Sequence, residues 1–341
     1  MKLLVIGGTQ FVGKSIVQHA LNNGHEVTLF NRGKTNPHAF EQVETIIGDR
    51  ENAEDLQKMA GRKWDAVIDT CGFLPGVVAK TLHVLQDNID LYCFISSVSV
   101  YEHFGEADGI DESGEVLKLT QTELERVTKG VKGRSSNEYY GPLKFHSESS
   151  VKEMVGAERS LIIRPGLIVG PDDPTDRFTY WPGRVATGGE FIVPEPRSSK
   201  VQFIDVRDLS RWIINMVENK ESGVYNAAGP EKKLSMEAFV DACRSVLNPY
   251  DAKPVWLSQE TLLNEKVQPW IELPLWIPAK HDIGIDSTKA IGKGLNFRAI
   301  EQTILDTYKW DTSRGSVDKK AGLDLVREEE ILENVKKERM I

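Results

Sequence analysis

Short apolar runs alternate with helix-like stretches along the first half of this 341-residue chain. Leu3–Ile6, Glu26–Phe30, Glu44–Ile47, Ala66–Ile68 and Tyr92–Ile95 read as buried strands. Between them, Val12–Leu21, Ala53–Met59, Val77–Leu85 and, further on, Lys144–Met154 read as helices, and Leu161–Arg164 supplies a sixth strand. Strands that alternate with helices build βαβ units, so the predicted class is α/β with a doubly wound parallel sheet.

After Pro165 the texture changes. Gly170-Pro171-Asp172-Asp173-Pro174 and Pro194-Glu195-Pro196 punctuate a stretch with few periodic runs. Val201–Val206 then reads as another strand, Leu209–Val217 as a helix, and Val224–Gly229 as a strand ending in a turn. Helices are expected at Met236–Leu247 and Ile300–Tyr308, and a solvated amphipathic one at Asp324–Lys337. The predicted organisation is a dinucleotide-binding domain of residues 1–170, to which 201–229 returns. A smaller C-terminal substrate-binding lobe would take 171–200 and 230–341.

The turn after the first strand is Gly7-Gly8-Thr9-Gln10-Phe11-Val12-Gly13, leading straight into a helix. A strand turning sharply into a helix aims backbone N–H groups at an anion, and glycines there allow a pyrophosphate close approach. Strand and helix context makes this a Rossmann fingerprint, with Gly7, Thr9, Gln10, Phe11, Val12 and Gly13 as candidate dinucleotide contacts. Gln10 stands where a middle glycine would be expected.

The second strand runs into Asn31-Arg32-Gly33-Lys34 without the carboxylate that usually grips a ribose 2′-hydroxyl. A guanidinium at Arg32 suits a 2′-phosphate instead, so NADP is the expected cofactor and NAD the alternative. Asn31 lies beside it, and Asp49 with Arg50, after the third strand, would border the adenine.

The fifth strand ends in Ser96-Ser97-Val98-Ser99-Val100-Tyr101, and Tyr140-Gly141-Pro142-Leu143-Lys144 follows about forty residues later, with Glu148 beyond it. Tyr140 and Lys144 share one face if a helix starts near Pro142. A phenol ionises near pH 10, so making it a base at neutral pH costs roughly 4 kcal/mol. A neighbouring ammonium lowers that cost, after which Tyr140 exchanges a proton with a substrate oxygen held by Ser97. Tyr139 has Leu143, not lysine, four residues on.

Bulk properties narrow the partners. The net charge of −9 argues against a nucleic-acid surface. No apolar run approaches the roughly 18 residues that span a bilayer, and the N-terminus lacks signal-peptide character. Cys71, Cys93 and Cys243 show no CxxC spacing, and the histidines form no ligand cluster, so reduced thiols, a cytoplasmic location and no metal are expected.

These motifs, in this order, resemble the extended short-chain dehydrogenase/reductase superfamily and its NAD-dependent epimerase/dehydratase family. The matching elements are Gly7–Gly13, Ser96–Tyr101, Tyr140–Lys144, Arg164-Pro165 with Gly170-Pro171, and Phe203–Asp208. The resemblance implies that Tyr140 is the acid/base, that Lys144 holds the nicotinamide ribose, and that Ser97 orients the substrate. It places Thr70, Cys71, Gly72 and Pro165 to Leu167 along the nicotinamide, and it suggests a homodimer. The stretch Gly170–Trp181 is similar to a branch related to chloroplast stem-loop-binding and isoflavone-reductase-like proteins.

Three departures bear on the substrate. Sugar-nucleotide epimerases carry an asparagine where Leu167 stands and an arginine where Val201 stands, and the dehydratases follow the Ser97 position with Asp-Glu rather than Val98-Ser99. The expected function is therefore hydride transfer, as oxidoreductase or epimerase, on a small hydroxyl or carbonyl compound. A nucleic-acid-binding protein or a dinucleotide-binding redox sensor on the same fold is the alternative. Asp172, Asp173, Asp176 and Arg177 either line the substrate mouth or are solvated; Trp181, Trp270 and Trp276 either pack the core or wall the pocket.

Overall fold

The apolar runs form strands β1 (Lys2–Ile6), β2 (Glu26–Asn31), β3 (Glu44–Ile47), β4 (Trp64–Asp69), β5 (Ile89–Ile95) and β6 (Ser160–Pro165) in a computed structural model. It describes residues 1–131, 133, 138–280 and 282–338. Four short strands follow, β7 (Ile168–Val169), β8 (Glu190–Pro194), β9 (Lys200–Val201) and β10 (Ile204–Asp205); then come β11 (Gly223–Ala227), β12 (Leu234–Ser235) and β13 (Lys253–Leu257). The helices are α1 (Phe11–Asn22), α2 (Ala53–Gln57), α3 (Pro75–Leu85), α4 (Gln121–Thr128), α5 (Tyr140–Val155) and α6 (Tyr180–Thr187). They continue with α7 (Val206–Glu218), α8 (Met236–Leu247), α9 (Gln259–Asn264), α10 (Thr288–Gly292), α11 (Ile300–Ser313) and α12 (Leu325–Glu338).

Seven parallel strands make the central sheet in the order β3-β2-β1-β4-β5-β6-β11. Alternate residues of each strand face opposite layers. Leu3, Val5, Ala66, Ile68, Leu91 and Leu161 pack under α1 and α7, while Leu4, Ile6, Val67, Tyr92, Phe94 and Ile162 pack under α3 and α5. The chain moves outward from β1 to β3 and then crosses back to β4. This reversal opens a crevice at the carboxyl ends of β1 and β4, where doubly wound sheets bind ligands.

A second core fills the lobe beside that crevice. Phe178, Trp181, Phe191, Phe203 and Phe239 lie at its centre, and Phe178 meets Phe203 edge to face at 4.9 Å between ring centroids. Two expectations need correction here. Val201–Val206 is not one strand. Phe203 exchanges backbone hydrogen bonds with Gly229, which splits the run into β9, paired antiparallel with β12, and β10, paired parallel with β7. Helix α12 is not simply solvated either. Ile331, Leu332 and Val335 are buried, and Glu328, also buried, accepts from Arg184 Nε at 2.5 Å.

Candidate active site

The loop after β1 is shaped by glycine where glycine is required. Gly7 and Gly8 take φ of +101° and +90°, and a Cβ on Gly13 would stand 2.8 Å from the Gly8 nitrogen. Gln10, in the place of the missing middle glycine, is extended and exposed, so no glycine is needed there; Phe11 takes the left-handed turn instead, at φ +41°. The Gln10 side chain makes no capping hydrogen bond to the start of α1. The loop is tied down from behind. Asn31 Nδ2 donates to the Gly7 carbonyl at 3.2 Å, and Asn36 Nδ2 donates to the Thr9 carbonyl at 3.0 Å. This cradle fits a pyrophosphate.

The remaining cofactor candidates divide. Arg32 is exposed just past β2. Asp49 accepts from the Glu51 N–H at 3.0 Å and shapes its own turn. Arg50, expected beside the dinucleotide, is turned inward. Its guanidinium grips Asp69 with two hydrogen bonds of 2.8 and 2.9 Å and reaches Thr81 Oγ1 at 3.2 Å. Burial alone would raise the Asp69 pKa, but the Arg50 charge and the Tyr92 hydroxyl hold it below the ordinary carboxylate value. Thr70 Oγ1 donates to the Ile6 carbonyl at 2.8 Å, and Cys71 sits half-buried at the same strand ends.

Ser97, Tyr140 and Lys144 line one cleft of about 740 Å³, together with Phe11, Val12, Thr70, Pro165 and Leu167. Helix α5 begins at Tyr140, with Pro142 in its first turn, and ends at Gly156, whose φ is +84°. A Cβ on Gly141 would lie 1.9 Å from the Ser99 carbonyl oxygen. Only glycine lets the helix start settle on the serine turn, where Ser97 Oγ accepts from the Ser99 N–H at 3.1 Å.

Lys144 is 2% exposed, and its Nζ donates to the carbonyls of Gly72, at 2.8 Å, and Ile95, at 2.5 Å. Burial lowers its pKa to about 8, against the opposing pull of Asp69 and Glu148. At neutral pH that buried charge disfavours the fold by about 3 kcal/mol. The unfolded chain keeps the proton up to the ordinary value near 10.5 while the folded chain releases it near 8, so stability rises with pH through that window. Urea unfolding at pH 7.5 and 9.5 should show the wild type gaining about 2 kcal/mol more than Lys144→Met. Equal gains would mean the ammonium is better solvated than its surroundings indicate.

Sequence reasoning missed what lies beneath this face. Ser96 Oγ donates to Glu148 Oε1 at 2.5 Å, and Arg164 donates to both Glu148 oxygens, at 2.9 and 2.6 Å. Arg164 also reaches the Tyr101 hydroxyl at 3.0 Å, which donates to Asn226 at 2.7 Å. Glu148 continues the four-residue spacing of Tyr140 and Lys144, and an arginine ends an apolar strand. Those two signals were visible in the sequence.

The lobe contributes Asp173, Arg177, Lys200, Val201 and Trp270 to the cleft. Asp172 instead takes a 2.7 Å hydrogen bond from Lys14, and buried Asp176 accepts from Arg314 at 2.7 Å. Trp181 and Trp276 belong to the lobe core. Among the described residues no cluster of three metal-ligating side chains occurs, and no helix is long and apolar enough to cross a membrane.

Sheet order, glycine cradle and cleft together define a Rossmann-type protein with a second lobe over the crevice. The sequence profile of the NAD dependent epimerase/dehydratase family matches residues 3–228, and the chain belongs to that family. It is 24% identical over 263 residues to the chloroplast stem-loop binding protein of 41 kDa b of Arabidopsis thaliana, covering 71% of this chain and 62% of that protein. The chain thus spans less than two thirds of that relative's length. It is 22% identical over 267 residues to the epimerase family protein SDR39U1 of Bos taurus, covering 72% and 81% of the two chains. Among solved structures it resembles UDP-glucuronic acid 4-epimerase from Bacillus cereus in complex with NAD. The TM-score is 0.67 at 15% identity, over 93% of this chain and all of that one.

Proposed function

We propose that this protein transfers hydride between NADP(H), or secondarily NAD(H), and a small hydroxyl or carbonyl compound, as an oxidoreductase or epimerase. The observation that carries the reading is the convergence of Ser97, from the turn after β5, with Tyr140 and Lys144, both from α5, on one cleft next to the glycine cradle. Membership of the family and the fold shared with an epimerase solved with NAD support it.

Gly7–Gly13 would hold the pyrophosphate and Arg32 a 2′-phosphate. Thr70, Pro165 and Leu167 would border the nicotinamide, and when bound that ring supplies the hydride acceptor or donor. Ser97 Oγ orients the substrate oxygen, and Tyr140 gives up or takes the proton as that oxygen changes between hydroxyl and carbonyl. Lys144, pinned by two carbonyls, supplies the positive charge that favours the phenolate. Cofactor that stays bound through purification would indicate an epimerase, whereas free exchange would indicate a reductase.

Isothermal titration with NADPH and NADH tests the cofactor assignment. Arg32→Ala should weaken NADPH about 10- to 100-fold, the worth of a charge-assisted pair, and NADH only slightly. Equal loss would remove the argument for NADP. The name of the Arabidopsis relative favours a second reading, RNA binding on the same fold. Salt-dependent RNA retention on a filter, unaffected by Tyr140→Phe, would decide for it, although the net charge of −9 opposes it.

A further inference from the structure

The turn that follows β4 joins a buried ion pair to the floor of the cleft, and the chemistry described so far gives that pair no part. Asp69, the last residue of β4, is fully buried, and its carboxylate is held from three sides. Arg50, after β3, donates to both oxygens; the Tyr92 hydroxyl, from β5, donates to Oδ2 at 2.8 Å; the Cys71 N–H donates to Oδ1 at 3.1 Å. Thr81, from α3, accepts from Arg50 at 3.2 Å and fixes the guanidinium in place. The bond from Asp69 to a backbone N–H two residues on bends the chain, as aspartate does in turns.

That bend delivers Gly72. A Cβ there would stand 2.5 Å from the Phe94 ring and 2.8 Å from Asp69 Oδ2, so only glycine lets the backbone lie directly on the carboxylate. The Gly72 carbonyl accepts from Lys144 Nζ at 2.8 Å, and the ammonium sits 4.3 Å from the Phe94 ring centroid. With the Ile95 carbonyl, two of its three N–H groups are taken.

Among the described residues, the charged and titratable groups that face Lys144 are Asp69, Cys71 and Arg50 on the sheet side, and Glu148 and Tyr140 along α5. The attraction of Asp69 outweighs the repulsion of Arg50. Burial pushes the Cys71 thiol pKa up, which keeps it uncharged at neutral pH. Glu148 is committed to Arg164 by two hydrogen bonds.

On the reading of the cleft as a hydride-transfer centre, we propose that Asp69 is the positioning residue of Lys144. Locked by Arg50, it shapes the turn so that the Gly72 carbonyl meets the ammonium, and it sets a negative charge behind that contact. The ion pair thereby reaches the Tyr140 phenol at one remove. A buried ammonium without a nearby anion gives up its proton more readily, and its support for the phenolate goes with it.

The carbon-13 shift of Lys144 Cε, assigned by its loss in Lys144→Met, reports the ionisation of the ammonium in the cofactor-free full chain. The wild-type midpoint is expected at about 8. Arg50→Met combined with Asp69→Asn removes both charges and leaves none alone, and the amide oxygen can still accept from the Cys71 N–H. In that variant the midpoint should fall by about one unit or more. Arg50→Met alone uncovers the carboxylate and should raise it. A midpoint that stays in place in the double variant, or falls in Arg50→Met, overturns the assignment. Tyr92→Phe takes a hydrogen bond from Asp69 but no charge. It should lower the thermal unfolding midpoint and leave Lys144 unmoved; a shift as large as that of the double variant would also overturn the assignment, because loosening alone would then move the lysine. Hydride transfer is read separately by the single-turnover absorbance of the nicotinamide, and the alkaline limb of its rate should follow the Lys144 midpoint. A shifted lysine without hydride transfer in the wild type would sink the reading of the cleft and leave the role of Asp69. Hydride transfer with an unmoved lysine would do the reverse.

Discussion

Tyr140→Phe should lower the rate of hydride transfer by about 10²- to 10⁴-fold, the usual contribution of a positioned acid/base group. NADPH affinity should hardly change, because the ring remains and only the phenolic oxygen leaves. Single-turnover absorbance of the nicotinamide with a reactive ketone, beside a titration of cofactor, separates the two quantities. An undiminished rate would move proton transfer to another group. Tyr139 is a poor substitute: a hydrogen bond and the adjacent charge from Glu138 push its phenol pKa up, away from a useful base.

Arg164→Met should destabilise the fold by about 3–5 kcal/mol, because it strands a buried carboxylate. The Glu148 side chain is fully buried and that of Arg164 is 4% exposed, so water cannot replace the lost partner. Denaturant unfolding of the cofactor-free protein measures the effect. Glu148→Leu combined with Arg164→Met should recover a large part of the loss, since no charge is then left alone. What remains reflects the Ser96 and Tyr101 hydroxyls, which lose hydrogen bonds to the removed groups. A double variant no better than Arg164→Met would locate the damage in packing instead of charge.

Much of the central domain was legible in the sequence because its strands are buried on both faces and read as continuous apolar runs. The glycine loop was legible for a related reason, since left-handed backbone at Gly7 and Gly8 leaves few other residues possible. The lobe was harder. Helix α6 contains Pro182 and Gly183, both weak helix formers, and forms because Tyr180, Trp181 and Val185 are buried in the second core. The run at Val201–Val206 has strand composition, but its register is decided by Gly229, which lies outside it. Site residues followed the same division. The spacing of Tyr140 and Lys144 is local. The inward turn of Arg50 depends on Asp69, Thr81 and Tyr92, and the depth of Lys144 depends on the carbonyls of Gly72 and Ile95, which no short window of sequence brings together.

The contact between Gly141 and the Ser99 carbonyl has a mechanical consequence. With no side chain between them, the start of α5 and the serine turn move as one body, so phenol and hydroxyl keep their separation whatever the cleft admits. A bulky ligand therefore meets one side of the cleft whose serine and tyrosine segments cannot be spread apart, while the facing wall is built from separate lobe residues such as Trp270 and Leu275.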